Sequence, residues 1–236
     1  CTWVERHVTL DRTMWGSDHL ASVEIQGMIK LVNDTISNDE ILSLVDWLKT
    51  FPRLTKGDLT ERYEELWSDK LGCKHSVFVN SGSSALLLSV YSLLERGILK
   101  RGDDVVVPAL SWATDLSPVV QLGLNPILCD CNLTNLSVDL KHLKEISIRH
   151  DPKALILVSV LGLVPDMEDV VDFCEENNLI LIEDACESLG SKYKGKNLGT
   201  FGLMSCFSTY YGHHLSTIEG GMICTNDTET FNLLKS

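Results

Sequence analysis

Five short apolar runs, separated by amphipathic stretches, set the architecture. They are Ser76-Val77-Phe78-Val79, Val105-Val106-Val107, Pro126-Ile127-Leu128-Cys129, Ala154-Leu155-Ile156-Leu157-Val158 and Leu179-Ile180-Leu181-Ile182. Helical patterns lie between or beside them at 83–96, 113–122, 138–147 and 166–177. The runs are apolar on both strand faces rather than alternating, which predicts a mainly parallel sheet covered by helices on both sides. In such a sheet ligands collect at the C-terminal ends of the strands. The polar groups that follow the runs are therefore the candidates for function.

Upstream, Ile41, Leu42, Leu44, Val45 and Leu48 fall on one stripe and predict a helix over 38–50, ended by Phe51-Pro52. A second helix is predicted from Asp58, with Leu59, Tyr63, Leu66, Trp67 and Leu71 on one face and Gly72 as its stop. Residues 1–35 show no clear period. Trp3, Val4, Val8, Leu10, Met14 and Trp15 there read as a segment that docks on something. The chain divides into an N-terminal extension and helix, 1–50, and one larger domain, 51–236. The pattern over 228–234 reads as a helix still in progress, and the chain does not begin with Met; the expectation is a piece of a longer protein, cut at its C-terminus.

The formal net charge is −13, which disfavours nucleic acid and anionic membrane as partners while leaving room for a phosphorylated ligand held by backbone N–H groups. No run of about 18 apolar residues predicts a membrane span, and the first residues do not resemble a secretory leader. The 8 Cys are scattered, several inside apolar runs, and read as buried reduced thiols of a cytoplasmic protein. Cys129-Asp130-Cys131 has no second pair nearby, so no metal site is expected.

Four segments follow strands and carry chemistry. Asn80-Ser81-Gly82-Ser83-Ser84 turns from a strand into a helix, and the free N–H groups of such a terminus favour an anion; a Ser-capped helix with nothing bound has the same pattern. Trp112, beyond Val105-Val106-Val107-Pro108, is placed to lie against an aromatic ligand, or to serve as a rim Trp. Glu183-Asp184 ends a buried strand, where a carboxylate is costly without a cation or several donors; a pyridinium nitrogen is such a partner, and capping of the next segment is the plainer alternative. Finally, Ser208-Thr209-Tyr210-Tyr211-Gly212-His213-His214 leads through Ile218-Glu219-Gly220-Gly221 to another strand, with two adjacent His that on their own read as surface residues.

Taken in this order, with Arg101-Gly102-Asp103-Asp104-Val105, Glu183 through Gly190, and Lys194-Gly195-Lys196, the segments from about residue 58 to 227 resemble the DegT/DnrJ/EryC1/StrS sugar aminotransferases. The resemblance implies the large domain of the aspartate-aminotransferase fold, with a mixed, mostly parallel seven-stranded sheet, a small domain beyond the C-terminus of this chain, and a homodimer. It implies pyridoxal or pyridoxamine phosphate as cofactor. The N–H groups of Gly82 and Ser83 with the Ser208 hydroxyl would hold its phosphate. Trp112 would stack on its ring, Asp184 would pair with the ring nitrogen, and Glu187 would sit near the ring hydroxyl.

One departure from the family pattern bears on the chemistry. The aminotransferases carry a cofactor-binding Lys six residues before the Glu of Glu-Gly-Gly; here that position is His213, and no Lys occurs between Lys196 and Lys235. Imidazole cannot make the covalent link to the cofactor, but it moves protons near neutral pH. The pattern is similar to a His-containing subset of 3-dehydratases acting on nucleotide-linked 4-keto-6-deoxyhexoses. There His213 would be the acid/base, the cofactor would enter as its amine, and L-glutamate would renew that amine. Tyr211 to His214 and Ile218 to Gly221 resemble the GDP-sugar type of this subset. Three alternatives stay open: an aminotransferase relative that lost its Lys, a CDP-sugar dehydratase with an iron–sulfur cluster for which Cys186 matches the first ligand, and a non-catalytic ligand-binding module.

Overall fold

The computed structural model describes residues 36–236 and two short strands, β1 (Val8–Thr9) and β2 (Val23–Glu24), that pair in parallel. The docking segment expected among the first residues otherwise lies outside the described part. Helix α1 (Asn38–Leu48) forms where the apolar stripe predicts it. Ser37 and Glu40 close a reciprocal capping box at its start. Its stripe is nonetheless exposed, and the helix buries no residue. Helix α2 (Asp58–Leu71) stops at Gly72, whose φ of 90° is the left-handed conformation that ends helices.

The main sheet is built from β3 (His75–Val79), β4 (Asp104–Pro108), β5 (Asn125–Cys129), β6 (Ala154–Val158), β7 (Ile180–Asp184), β10 (Met204–Ser208) and β11 (Gly221–Thr225). A small hairpin of β8 (Lys192–Tyr193) and β9 (Lys196–Asn197) stands apart. The seven strands run in the order β3-β11-β10-β7-β6-β4-β5. Only β11 is antiparallel to its neighbours, so the other six end on one common edge. The mainly parallel sheet expected from the apolar runs is the observed one, and its seven strands match the number that the resemblance implied.

Helices α3 (Gly82–Glu95), α4 (Ala113–Gln121), α5 (Leu140–His150), α6 (Met167–Glu176) and α7 (Thr228–Lys235) cover the sheet. Period-two alternation sorts the strand side chains. Ile156, Ile182, Met204, Cys206 and Ile223 join Ala85, Leu86, Val90 and Val119 of α3 and α4 in one core. Leu155, Leu157 and Leu181 join Leu143, Met167, Val170 and Phe173 of α5 and α6 in the other. Trp67 and Leu71 of α2 pack on Phe207, Met222 and Cys224 in a smaller third cluster. Among the described residues no helix is long and apolar enough to cross a membrane. The seven described Cys are free thiols, four of them buried.

Candidate active site at the C-terminal strand edge

The expected site residues gather at the strand ends. Strand β3 runs through Ser81 into α3; the Ser81 side chain accepts the N–H of Ser84 at 3.1 Å and caps the helix. Gly82 is buried against the end of β10. A methyl group at Gly82 would lie 2.7 Å from Ser208 Cβ and 3.0 Å from Cys186 Sγ, distances side chains do not reach without displacement. A methyl group at Gly221 would overlap the Ser81 carbonyl and Gly82 nitrogen. The two glycines let β10, β11 and the start of α3 close on one another, which leaves the N-terminal amides of α3 beside Ser208. Gly82→Ala is expected to cost about 1–3 kcal/mol, the usual range for forced overpacking. The check is a urea unfolding series in which the midpoint falls and the slope holds.

At the end of β7 the two acids separate, as alternation requires. Glu183 is 2% exposed and faces the α5/α6 side. Its carboxylate accepts the N–H groups of Gly199 at 2.7 Å, Phe201 at 2.6 Å and Gly202 at 2.7 Å. Burial pushes its carboxyl upward, and these three donors oppose that shift. Asp184 is 7% exposed and faces the α3/α4 side; its Oδ1 accepts the Cys186 N–H at 2.8 Å. Among the described residues no Lys, Arg or His forms an ion pair with Asp184. One Asp184 oxygen and the sulfurs of Cys186 and Cys206 lie within 4.8 Å of one another. The Cys186 thiol is pushed well above its ordinary range, first by its contact with Cys206 and then by burial, so it stays a neutral thiol packed under Gly82.

Two neighbours complete this side. Trp112 caps α4 and is 75% exposed, its indole free at the rim. Its backbone N–H donates to Asp115 Oδ2 at 3.2 Å, and Asp115 lies wholly buried beside Asp184. Glu187 is half-buried and accepts the Leu161 N–H at 2.6 Å, which holds Leu161 at its left-handed φ of 54°. Part of the Glu187 carboxylate is thereby engaged with the loop after β6.

The histidine loop leaves the same edge at the end of β10. Its base is pinned: Thr209 and Thr217 bond through their hydroxyls at 2.7 Å, the Thr217 N–H donates to the Thr209 carbonyl at 2.9 Å, and the Thr209 N–H donates to the Gly220 carbonyl at 2.8 Å. His213 is half-buried, its N–H donating to the Tyr210 carbonyl at 3.0 Å and its ring meeting the Tyr210 ring edge-on at 6.3 Å. His214 is exposed. The structure thus brings Gly82, Cys186 and Ser208 together, and Trp112, Asp115 and Asp184 together. His213 makes no hydrogen bond to Asp184, Glu187 or Ser208. Sequence reasoning passed over Asp115 and the Thr209–Thr217 clasp. A charged residue three positions into an otherwise uncharged helix was the available signal for the first.

This edge, with an amide cradle, a buried carboxylate and an exposed aromatic, is that of the aspartate-aminotransferase-type fold. The chain belongs to the DegT/DnrJ/EryC1/StrS aminotransferase family, whose model matches residues 35–235. A NeuB family model matches residues 1–44. Over 182 residues the chain is 39% identical to the GDP-4-keto-6-deoxy-D-mannose 3-dehydratase of Yersinia pseudotuberculosis, covering 76% of this chain and 46% of that protein. It is 33% identical to the GDP-perosamine synthase of Escherichia coli O157:H7 over 75% of this chain and 48% of the relative. A GDP-4-keto-6-deoxymannose-3-dehydratase solved with a trapped PLP–glutamate geminal diamine superposes with a TM-score of 0.82 at 35% identity, over 87% of this chain and 53% of that one. The chain spans about half the length of the curated relatives it matches.

Proposed function

We propose that the protein containing this chain is a pyridoxamine- or pyridoxal-phosphate-dependent 3-dehydratase of a nucleotide-linked 4-keto-6-deoxyhexose, with His213 as its acid/base. The observation that carries this reading is the pairing of a cofactor-shaped strand edge with an imidazole where the family's aminotransferases place an amine. The residues fit the cofactor. Gly82 and Gly221 keep side chains out of the way, so the amides of Gly82 and Ser83 and the Ser208 hydroxyl can take a phosphate at the start of α3. Asp184 is a buried carboxylate with no cation paired to it among the described residues, and it suits a protonated ring nitrogen. Trp112 offers an exposed indole for stacking, and Glu187, which accepts the Leu161 N–H, would sit near the ring hydroxyl.

Bound pyridoxamine phosphate supplies a primary amine for the C4 ketone and a ring that accepts electrons. Asp184 holds the ring proton in place. His213 takes a proton and returns one to the departing C3 hydroxyl, and it cannot capture the cofactor covalently because it has no amine. We assign residues 51–236 to the cofactor-binding large domain and 1–50 to an extension with its helix. L-glutamate as amine source, a GDP-sugar as substrate, a homodimer and a cytoplasmic setting complete the proposal. The PLP–glutamate adduct solved in one relative and the GDP-sugar substrate of another support the first two.

The test uses the full-length protein with pyridoxamine phosphate, glutamate and GDP-4-keto-6-deoxymannose, products being followed by mass spectrometry. A product lighter by one oxygen is expected. An amino sugar would favour the aminotransferase reading, for which the likeness to a GDP-perosamine synthase speaks; unchanged substrate would reject the activity on this sugar.

A further inference from the structure

Asp115 has no part in the cofactor contacts above, yet its setting is the least ordinary in the described chain. It is 0% exposed, in the first turn of α4. Oδ2 takes the Trp112 N–H; Oδ1 is buried and meets no N–H or O–H donor. The Asp184 carboxyl lies beside it, close enough for the two side chains to interact directly. No described Lys, Arg or His forms an ion pair with either acid. Two buried carboxyls that touch without a cation cannot both be ionised, because both would be acceptors and both negative. A proton between them satisfies the orphaned oxygen and removes one charge.

We propose that Asp115 and Asp184 share one proton, which Asp115 holds, and that Asp115 is the positioning residue for the Asp184 carboxylate. Asp184 then receives the Cys186 N–H on Oδ1 and the Asp115 proton beside it, so its carboxylate is fixed in direction and its remaining lone pairs face the open edge of the strand. The proton belongs on Asp115 because Asp115 is the more deeply buried and its one backbone donor stands at 3.2 Å, against 2.8 Å for the donor to Asp184. Burial first, then the negative Asp184, raises the Asp115 carboxyl to about 9. Other titratable groups facing the pair are Glu187 beyond β7, Cys186, and Cys206 on β10. Helix α3, β4 and β5 also pack on α4. Of their titratable groups, Tyr91 bonds Glu95 at the far end of α3, Asp104 starts β4 at the opposite sheet edge, and Cys129 faces Asp130 and Asp139.

The part concerning the ring nitrogen rests on the cofactor reading above; the shared proton does not. The sign of the pH dependence follows from linkage. The native chain keeps a proton that the unfolded chain releases near pH 4, so stability is greatest at low pH and falls until about pH 9. For this group alone the unfolding constant rises roughly tenfold per pH unit in that window. The experiment compares the cofactor-free full-length protein with Asp115→Asn by urea unfolding at several pH values between 5.5 and 8, and by infrared difference spectroscopy at pH 7.5. Expected are a pH slope and a neutral carboxylic-acid carbonyl band in the wild type, both lost in Asp115→Asn. If the variant does not fold, the same band is sought in wild-type protein labelled with 13C at Asp carboxyls.

With pyridoxamine phosphate bound, Asp115→Asn keeps a donor to Asp184 and is expected to retain the wild-type absorbance titration of the ring. Asp115→Ala is expected to move its midpoint by a pH unit or more, a tenfold change in ring proton affinity. Absence of the neutral-acid band from the wild type overturns the proposal whether or not the cofactor binds. Its presence without cofactor binding upholds the shared proton and removes the cofactor reading instead. An Asp115→Ala titration identical to wild type overturns the positioning role.

Discussion

Glu183→Ala is expected to destabilise the fold by about 3–5 kcal/mol, a large share of the roughly 5–15 kcal/mol that holds a typical domain together. The carboxylate is 2% exposed and gathers three backbone N–H groups from one loop, those of Gly199, Phe201 and Gly202. That loop delivers the chain into β10, and the end of β10 carries Ser208. Truncation orphans three donors, that of Gly199 buried and those of Phe201 and Gly202 part-buried, and opens a cavity between β7 and the loop. Each orphaned donor costs about 1–3 kcal/mol before the loop relaxes. Glu183→Gln is the informative companion. Its amide oxygen can still accept two of the N–H groups, whereas its NH2 group meets the third as donor against donor, so a loss of about 1–3 kcal/mol is expected. The order wild type, Gln, Ala in urea midpoint, with unchanged slope, checks the argument. An Ala variant within about 1 kcal/mol of wild type would mean that the loop finds its donors' partners elsewhere.

Glu183 also marks where the sequence stops being legible. Two acids after an apolar run are visible in the string Leu181-Ile182-Glu183-Asp184, and strand alternation sends them to opposite faces. What cannot be read locally is which segment meets each of them. The donors for Glu183 come from a loop beyond the β8–β9 hairpin, and the acid that meets Asp184 comes from α4 on the other side of the sheet order. Parallel strands juxtapose residues across long connections, so these contacts have no sequence period. The strands themselves were legible because a strand buried on both faces is apolar throughout, and five such runs leave few architectures. Helix α1 shows the converse limit: its stripe and capping box specify a helix, yet nothing in the stripe names the surface that covers it, and in the described chain it lies exposed. The candidate cofactor residues were picked out through resemblance alone. Taken singly, Gly82, Trp112 and Ser208 are a helix-start glycine, a rim aromatic and a strand-end hydroxyl.

Under the proposed dehydratase function, His213→Asn is expected to lower kcat for dehydration by about 10²–10⁴, the usual contribution of a positioned acid/base, while cofactor affinity stays within a few-fold of wild type. The asymmetry comes from the two parts of the site. The cradle at Gly82 and Ser208 and the carboxylate of Asp184 stand on the ends of β3, β10 and β7, and none of their hydrogen bonds involves His213. His213 rides on a loop closed by Thr209 and Thr217, so its side chain is exchanged without touching the cradle. Asn keeps polarity and approximate size and loses the ability to cycle a proton near neutral pH. His213→Lys poses the stricter question, because it returns an amine to the position where the family's aminotransferases carry one. The expected outcome is covalent capture of pyridoxal phosphate, fixed by borohydride and located on residue 213 by mass spectrometry, with dehydration lost. Capture at residue 213 would show that this side chain reaches the cofactor and that the choice between proton transfer and covalent chemistry is made there. A His213→Asn enzyme that dehydrates at the wild-type rate would place the acid/base on another group, and the loop would then owe its two histidines to something other than this reaction.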